Sequence, residues 1–301
     1  MNKSCLLWFK DIRFEDVNIV GGKGANLGEM YSLGIPVPNG FVVTADTYFD
    51  FIENNKLKPQ IKNILSITNV DHPDELQTAS KKIRALIKKS PFTHDVSVQI
   101  MTAYKKLGSF GGLVDIPVAV RSSATAEDSL DASFAGQQDT YLNVIGESNV
   151  LHRVRDCWAS LFTPRSIFYR VKKKYDHFKV GVAVPIQKMV QSEISGIMFT
   201  ANPVSNNKNE IIIEAIWGLG EYIVQGVVTP DQFIIDKSNW QIKQKNNVFQ
   251  DRQLIKDKSE TAEVAVPKYK QNKIKIDDAT AIKIAKVGQK FTRIGFFPGV
   301  R

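Results

Sequence analysis

Apolar positions along this 301-residue chain switch between a helical period and a strand period, and the switches outline the fold. Leu27, Met30 and Tyr31 fall on one helical face, and Gly34 followed by Pro36 and Pro38 is placed to end that helix. Phe41, Val42, Val43 and Thr44 then read as a short strand. Residues 74–88 make an amphipathic helix, with Asp74 as the candidate N-cap and Leu76, Ala79, Ile83, Leu86 and Ile87 as its stripe. Residues 93–107 repeat the pattern through Val96, Ile100, Met101, Tyr104 and Leu107. Residues 117–121 read as a strand entering the polar loop 122–131. The strongest helical period lies at 148–163, in Val150, Leu151, Val154, Cys157, Trp158, Leu161 and Phe162.

Beyond that helix the period falls to two. Val180, Val182, Val184 and Ile186 predict a half-buried strand. Further strands are expected at 194–200, 211–215, 222–228 and 232–236. The polar, lysine-rich stretch 245–275 predicts a loop or linker. A last helix, about 277–291, carries Ile284, Val287 and Phe291 on one face. Gly108, Gly111 and Gly112 suggest a break near 110, and composition shifts again near 245. The expected segments are therefore 1–110, 111–245 and 246–301.

Composition narrows the class without deciding it. Apolar residues make up 43% and charged residues 24%, so a chain of this length can bury a real core. Cys5 and Cys157 are too few for a disulfide framework or a zinc site and read as reduced thiols. No apolar run approaches the roughly 18 residues of a membrane span. Leu6, Leu7, Trp8 and Phe9 are too short a run for a signal-peptide core, so a cytoplasmic protein is expected. The net charge of +9 is spread over scattered lysines, and the cluster Lys172, Lys173 and Lys174 reads as a solvated helix face. No nucleic-acid recognition motif accompanies that charge. His72, His94, His152 and His177 read as ordinary loop or helix-surface residues.

Four segments carry candidate chemistry. In 21–28, glycines let backbone N–H groups approach an anion at a helix start, and Lys23 is a mobile point charge that could reach a terminal phosphate. The spacing is neither a Walker A loop nor G-x-G-x-x-G, and a plain glycine-rich turn fits as well. Arg121 closes a strand before Ser122, Ser123 and Thr125, where it could fork onto phosphate oxygens or pair with Glu127 or Asp128. Residues 133–140 suit a flap, with Gly136 and Thr140 able to meet phosphates, or else a hairpin turn. In 215–221, glycines near a strand end permit close backbone approach, and Glu221 could hold a ribose or a metal, or simply be solvated.

Taken in order, these segments resemble a known family. VGGKGANLGEM at 20–30, GIPVPNGFVVTADTYFDFI at 34–52, VAVRSSATAEDSLDASFAGQQDTYLNV at 118–144 and EAIWGLGEYIVQGVVTPDQF at 214–233 look like the N-terminal nucleotide-binding region of the phosphoenolpyruvate synthase (pyruvate, water dikinase) family. Rifampicin phosphotransferases look similar throughout, and pyruvate, phosphate dikinases differ in the flap. The resemblance implies an α+β chain of the ATP-grasp fold, with two lobes holding ATP. It assigns Lys23 and Arg121 to the phosphates, and Gly136 and Thr140 to the loop that covers them. Gln187 would meet the adenine side, with the backbone near Met189 as hinge. The implied reaction pyrophosphorylates a histidine on a swivelling domain, releases phosphate to water and passes the remaining phosphoryl group to pyruvate.

The chain also departs from that family pattern. No acidic residue follows Asp278, where the family carries carboxylates for Mg²⁺ and nucleotide on a further strand. No histidine lies in a phospho-acceptor segment, and no pyruvate-binding domain is present. The expectation is an ATP-grasp region truncated at its C-terminal end, with Mg²⁺ ligands incomplete: either a truncated or frameshifted product, or one half of a split enzyme whose remaining domains lie on a separate partner chain. The alternatives are a non-catalytic nucleotide-binding remnant and the ATP domain of a rifampicin phosphotransferase-like kinase.

Overall fold

A computed structural model describes residues 4–109, 115–125, 139–257 and 260–293. Mixed helix and sheet are arranged in two compact units, Met1–Val190 and Gln191–Arg301. This division differs from the breaks read from composition. Near residue 110 the chain continues within one unit, because strands from both sides of that point share a single sheet.

In the first unit the chain runs β1 (Leu6–Trp8), α1 (Val17–Ser32), β2 (Gly40–Val43), α2 (Ala45–Asn54), α3 (Leu57–Ser66), α4 (Pro73–Lys89) and α5 (His94–Ser109). It continues through β3 (Val118–Arg121), β4 (Ser123–Ala124), β5 (Thr140–Val144), α6 (Glu147–Ala159), α7 (Pro164–Lys172) and β6 (Val182–Lys188). The strands lie in the order β1-β2-β6-β3-β5, with β4 beside β6, and every pairing is antiparallel. Val118, Val120, Val182, Val184 and Ile186 point to one face and join the main core with Leu76, Ile83, Ile87 and Trp158. Trp158 is fully buried, with Phe51 and Phe92 ring centroids 4.8 and 5.3 Å away, and its Nε1 donates to the Val182 carbonyl at 3.1 Å. Burying such a side chain stabilises the fold by about 3 kcal/mol.

The helix expected over 74–88 begins one residue earlier. His72 takes the cap position and makes no side-chain capping bond, while Pro73 occupies the first turn, where its missing N–H costs nothing. Asp74 therefore acts through its charge near the helix N-terminus rather than as the cap. The half-buried reading of 180–186 also changes. Ala183, Pro185 and Gln187, on the opposite face of β6, are buried as well, because α1 packs over Ala183 and Val42. His177 is more than a surface residue, since its Nδ1 accepts from Arg170 Nε at 2.9 Å. Cys5 and Cys157 are free and buried.

The second unit holds β7 (Ile194–Phe199), β8 (Glu210–Trp217), α8 (Glu221–Val224), β9 (Asp231–Asp236), β10 (Ile242–Asn246), β11 (Arg252–Asp257), β12 (Glu260–Ala265) and α9 (Asp278–Arg293). Strands β10-β9-β8-β7 make an antiparallel sheet, and β11 and β12 make a separate hairpin. Residues 222–228 are not a strand. Tyr222 and Ile223 are buried in a single helical turn, and Val224 is 76% exposed with no sheet partner. A short apolar run fits either period, and here the turn wins. The expected linker 245–275 contains the hairpin, whose charged side chains hide its alternation. The buried face of α9 is Ala281, Ala285 and Gly288, not Ile284, which is 37% exposed. A Cβ at Gly288 would collide with the Met198 side chain, so the helix lies too close to the sheet for large residues on that face.

One ion pair ties this unit together. Lys275 Nζ lies 2.8 Å from Asp231 Oδ1, and both side chains are fully buried. Asp231 also accepts the backbone N–H groups of Val248 and Lys275, each at 2.8 Å. Such a pair survives burial only because its remaining acceptors are satisfied.

Candidate functional site

Alternation along β3 sets the site. Val118 and Val120 point into the main core, so Ala119 and Arg121 point to the face on which α1 lies. Register places Thr140 of β5 directly opposite Arg121. On the other side of β3, Gln187 of β6 stands opposite Ala119 and shares that face. Arg121, Thr140 and Gln187 thus form a polar row on a sheet whose other face is apolar.

Arg121 makes no hydrogen bond or ion pair among the described residues, and burial alone pushes its guanidinium below its usual range. Its alternative partners, Glu127 and Asp128, lie outside the described residues, as does Gly136. A half-buried guanidinium with no carboxylate beside it among the described residues would be stabilised by an incoming anion.

The glycine-rich start of α1 meets the end of β3. Gly21 adopts φ 69° and ψ 171°, which breaks the helix and lets it restart under the glycines. A Cβ there would collide with the Ser123 hydroxyl and carbonyl, so only glycine permits the contact. Gly24 N–H donates to Ser123 Oγ at 3.3 Å, and Lys23 Nζ donates to the Ser122 carbonyl at 3.2 Å. Lys23 and Arg121, nearly a hundred residues apart in sequence, are therefore both gathered at residues 121–123.

The remaining expected residues sit elsewhere. Gln187 is 8% exposed and its Nε2 donates to the Pro38 carbonyl at 3.2 Å. Met189 follows β6, and its N–H bonds the Pro117 carbonyl at 3.0 Å. Glu221 belongs to the second unit, where it opens α8 and accepts from Gln225 Nε2 at 2.8 Å.

The turn before Glu221 is braced by residues the sequence did not single out. Gln250 spans Trp217, accepting from its N–H at 2.9 Å and donating to its carbonyl at 3.0 Å. Leu219 N–H bonds the Leu254 carbonyl at 2.8 Å, and Gly218 at φ 88° leaves no room for a Cβ against that carbonyl. Tyr222 Oη donates to Glu263, which holds the phenol up at about 12. A glutamine in a lysine-rich stretch carries no pattern that would have revealed this role.

Among the described residues, no three His, Cys, Asp or Glu side chains gather into a metal-binding group. No helix among them is long and apolar enough to cross a membrane.

Comparison with known proteins identifies the family. Residues 17–294 match the family described as pyruvate phosphate dikinase, AMP/ATP-binding domain. A probable phosphoenolpyruvate synthase of Methanocaldococcus jannaschii is 48% identical over 284 residues, covering 94% of this chain and 24% of that protein. The phosphoenolpyruvate synthase of Pyrococcus furiosus is 43% identical over 323 residues, covering 94% and 39%. That of Aquifex aeolicus is 43% identical over 300 residues, covering 95% and 35%. The chain thus spans between about a quarter and two fifths of the length of these curated relatives.

Proposed function

The chain belongs to the pyruvate phosphate dikinase AMP/ATP-binding domain family, and from that premise we propose that it binds ATP for a phosphoenolpyruvate synthase-type dikinase. The observation that carries this reading is Arg121, a half-buried guanidinium with no partner among the described residues, on the same sheet face as Thr140 and Gln187. Phosphoryl transfer asks a protein for positioning and charge neutralisation more than for covalent chemistry. Arg121 forks onto phosphate oxygens, and Lys23 exchanges the Ser122 carbonyl for a terminal phosphate. Thr140 donates its hydroxyl, and the segment carrying Gly136 covers the phosphates. Gln187 and the backbone near Met189 serve the adenine side, and the Glu221 carboxylate suits a ribose hydroxyl.

The ATP-grasp type of fold is part of the same proposal, as is Mg²⁺, which would enter with the phosphates. So is the whole reaction, in which ATP, pyruvate and water give AMP, phosphoenolpyruvate and phosphate. The acceptor histidine and the pyruvate site would come from further domains, whether or not on a separate chain.

Calorimetric titration of Mg·ATP into the protein, with Lys23→Ala as comparison, tests the reading. Saturable binding that Lys23→Ala weakens by about tenfold or more supports it. A folded protein that takes up no nucleotide overturns it.

A further inference from the structure

A second concave site lies in the first unit, away from the polar row. Between α2, the turn into α3 and the stretch before β6 is a cavity of about 370 Å³. Its walls are Tyr48, Phe49, Ile52 and Phe178, closed by Pro59. That volume is at the lower end of the range for small-molecule sites, and the lining is apolar with a few charges, as such sites are.

The charges around it are mostly of one sign. Lys56 and Lys58 stand in the lining, and Glu53 is the one acidic residue among the lining groups. Lys58 Nζ and Lys62 Nζ lie 5.5 and 5.8 Å from the Phe178 ring centroid. Beyond Tyr48 lies Arg170, fully buried and, among the described residues, without a carboxylate partner. Arg170 donates to His177 and to the Leu161 carbonyl and sits 5.3 Å from the Phe162 ring centroid, while its Nη1 has no partner among the described residues. Asp176, beside His177, is an opposing charge that acts on that imidazole. An apolar hollow with lysines at its mouth disfavours organic cations and favours an anion that brings an apolar body to fill it.

We propose that this cavity binds a small organic anion with a flat apolar body, of the aryl carboxylate class. The ring lies against Phe49 and Phe178, and the carboxylate faces Lys56 and Lys58 at the mouth. The site uses none of the residues assigned to ATP, and the proposal stands or falls independently of that assignment.

The test titrates 2-naphthoate into the full chain, by calorimetry and by the fluorescence of the probe, with thermal melting to confirm that each variant is folded. Saturable binding of one naphthoate per chain is expected. Lys58→Glu, at an exposed position, should weaken it by about tenfold, and Glu53→Gln should strengthen it severalfold. Lys23→Ala should leave it unchanged, and 2-naphthylmethylamine, the same ring with a cation, should bind at least about tenfold more weakly. Absence of saturation up to about 1 mM, equal binding of the cationic analogue, or an unaltered Kd in Lys58→Glu each overturns the proposal.

Discussion

Replacing Arg121 with methionine separates what the residue costs the fold from what it gives a ligand. Methionine keeps the unbranched stem and removes the guanidinium. In the protein alone, that group is half-buried and finds no partner among the described residues. Relieving an unpaired buried polar group is worth about 1 kcal/mol. Arg121→Met should therefore be more stable than the parent by about that amount, read as a higher urea midpoint at unchanged slope. With nucleotide present the sign reverses. A fork onto phosphate makes two charge-assisted hydrogen bonds, each worth about 1.5–3 kcal/mol and not fully additive. Losing about 3–4 kcal/mol weakens Mg·ATP binding by roughly two to three decades. Arg121→Lys, which keeps the charge and loses the fork, should fall between. A methionine variant that is less stable and binds Mg·ATP as well as the parent would refute the reasoning and make Arg121 a structural residue.

Three further outcomes follow from the geometry. Gly21→Ala forces a side chain into left-handed backbone against Ser123 and should cost about 1–3 kcal/mol, with weakened nucleotide binding, by urea denaturation and calorimetry. Lys275→Met strands the buried Asp231 carboxylate and should cost about 3–5 kcal/mol; a loss under 1 kcal/mol would show that solvent reaches the pair. His177 is held down to about 4 by its burial and then by Arg170, against about 6.5 when unfolded. The unfolded chain therefore takes up this proton first, and the stability His177 contributes above pH 6.5 is lost as pH falls toward 4. His177→Gln should narrow the difference in melting temperature between about pH 7.5 and about pH 4.5.

The long helices were legible because their buried stripes are built from large residues. Ile83 and Ile87 in α4, and Val150, Val154 and Trp158 in α6, announce their faces directly. The face of α9 was misread for the opposite reason. Close approach to the sheet selects Ala281, Ala285 and Gly288, and small residues carry little periodic signal. The hairpin β11–β12 was hidden by charges on its solvent side. At the candidate site, Lys23, Arg121 and Thr140 stood out in the sequence as candidates, but their meeting did not. It depends on the β3–β5 register and on a positive φ at Gly21, which no single segment encodes. Gln250 was invisible because its role lies in matching one distant backbone, not in any local pattern.

The position of β6 bears on how the protein is made. Residues 182–188 supply the middle strand of the sheet, yet they are the last of its strands to be synthesised. Gly40 must wait for Gln187, and Val118 for Lys188. At about 5–20 residues per second, the ribosome holds β2 and β3 without their shared neighbour for many seconds. During that time two apolar strand edges stand open, and contacts so distant in sequence close slowly. The nascent chain should thus depend on chaperones until residue 188 has cleared the exit tunnel, and a translational pause after that point would favour yield more than one before it.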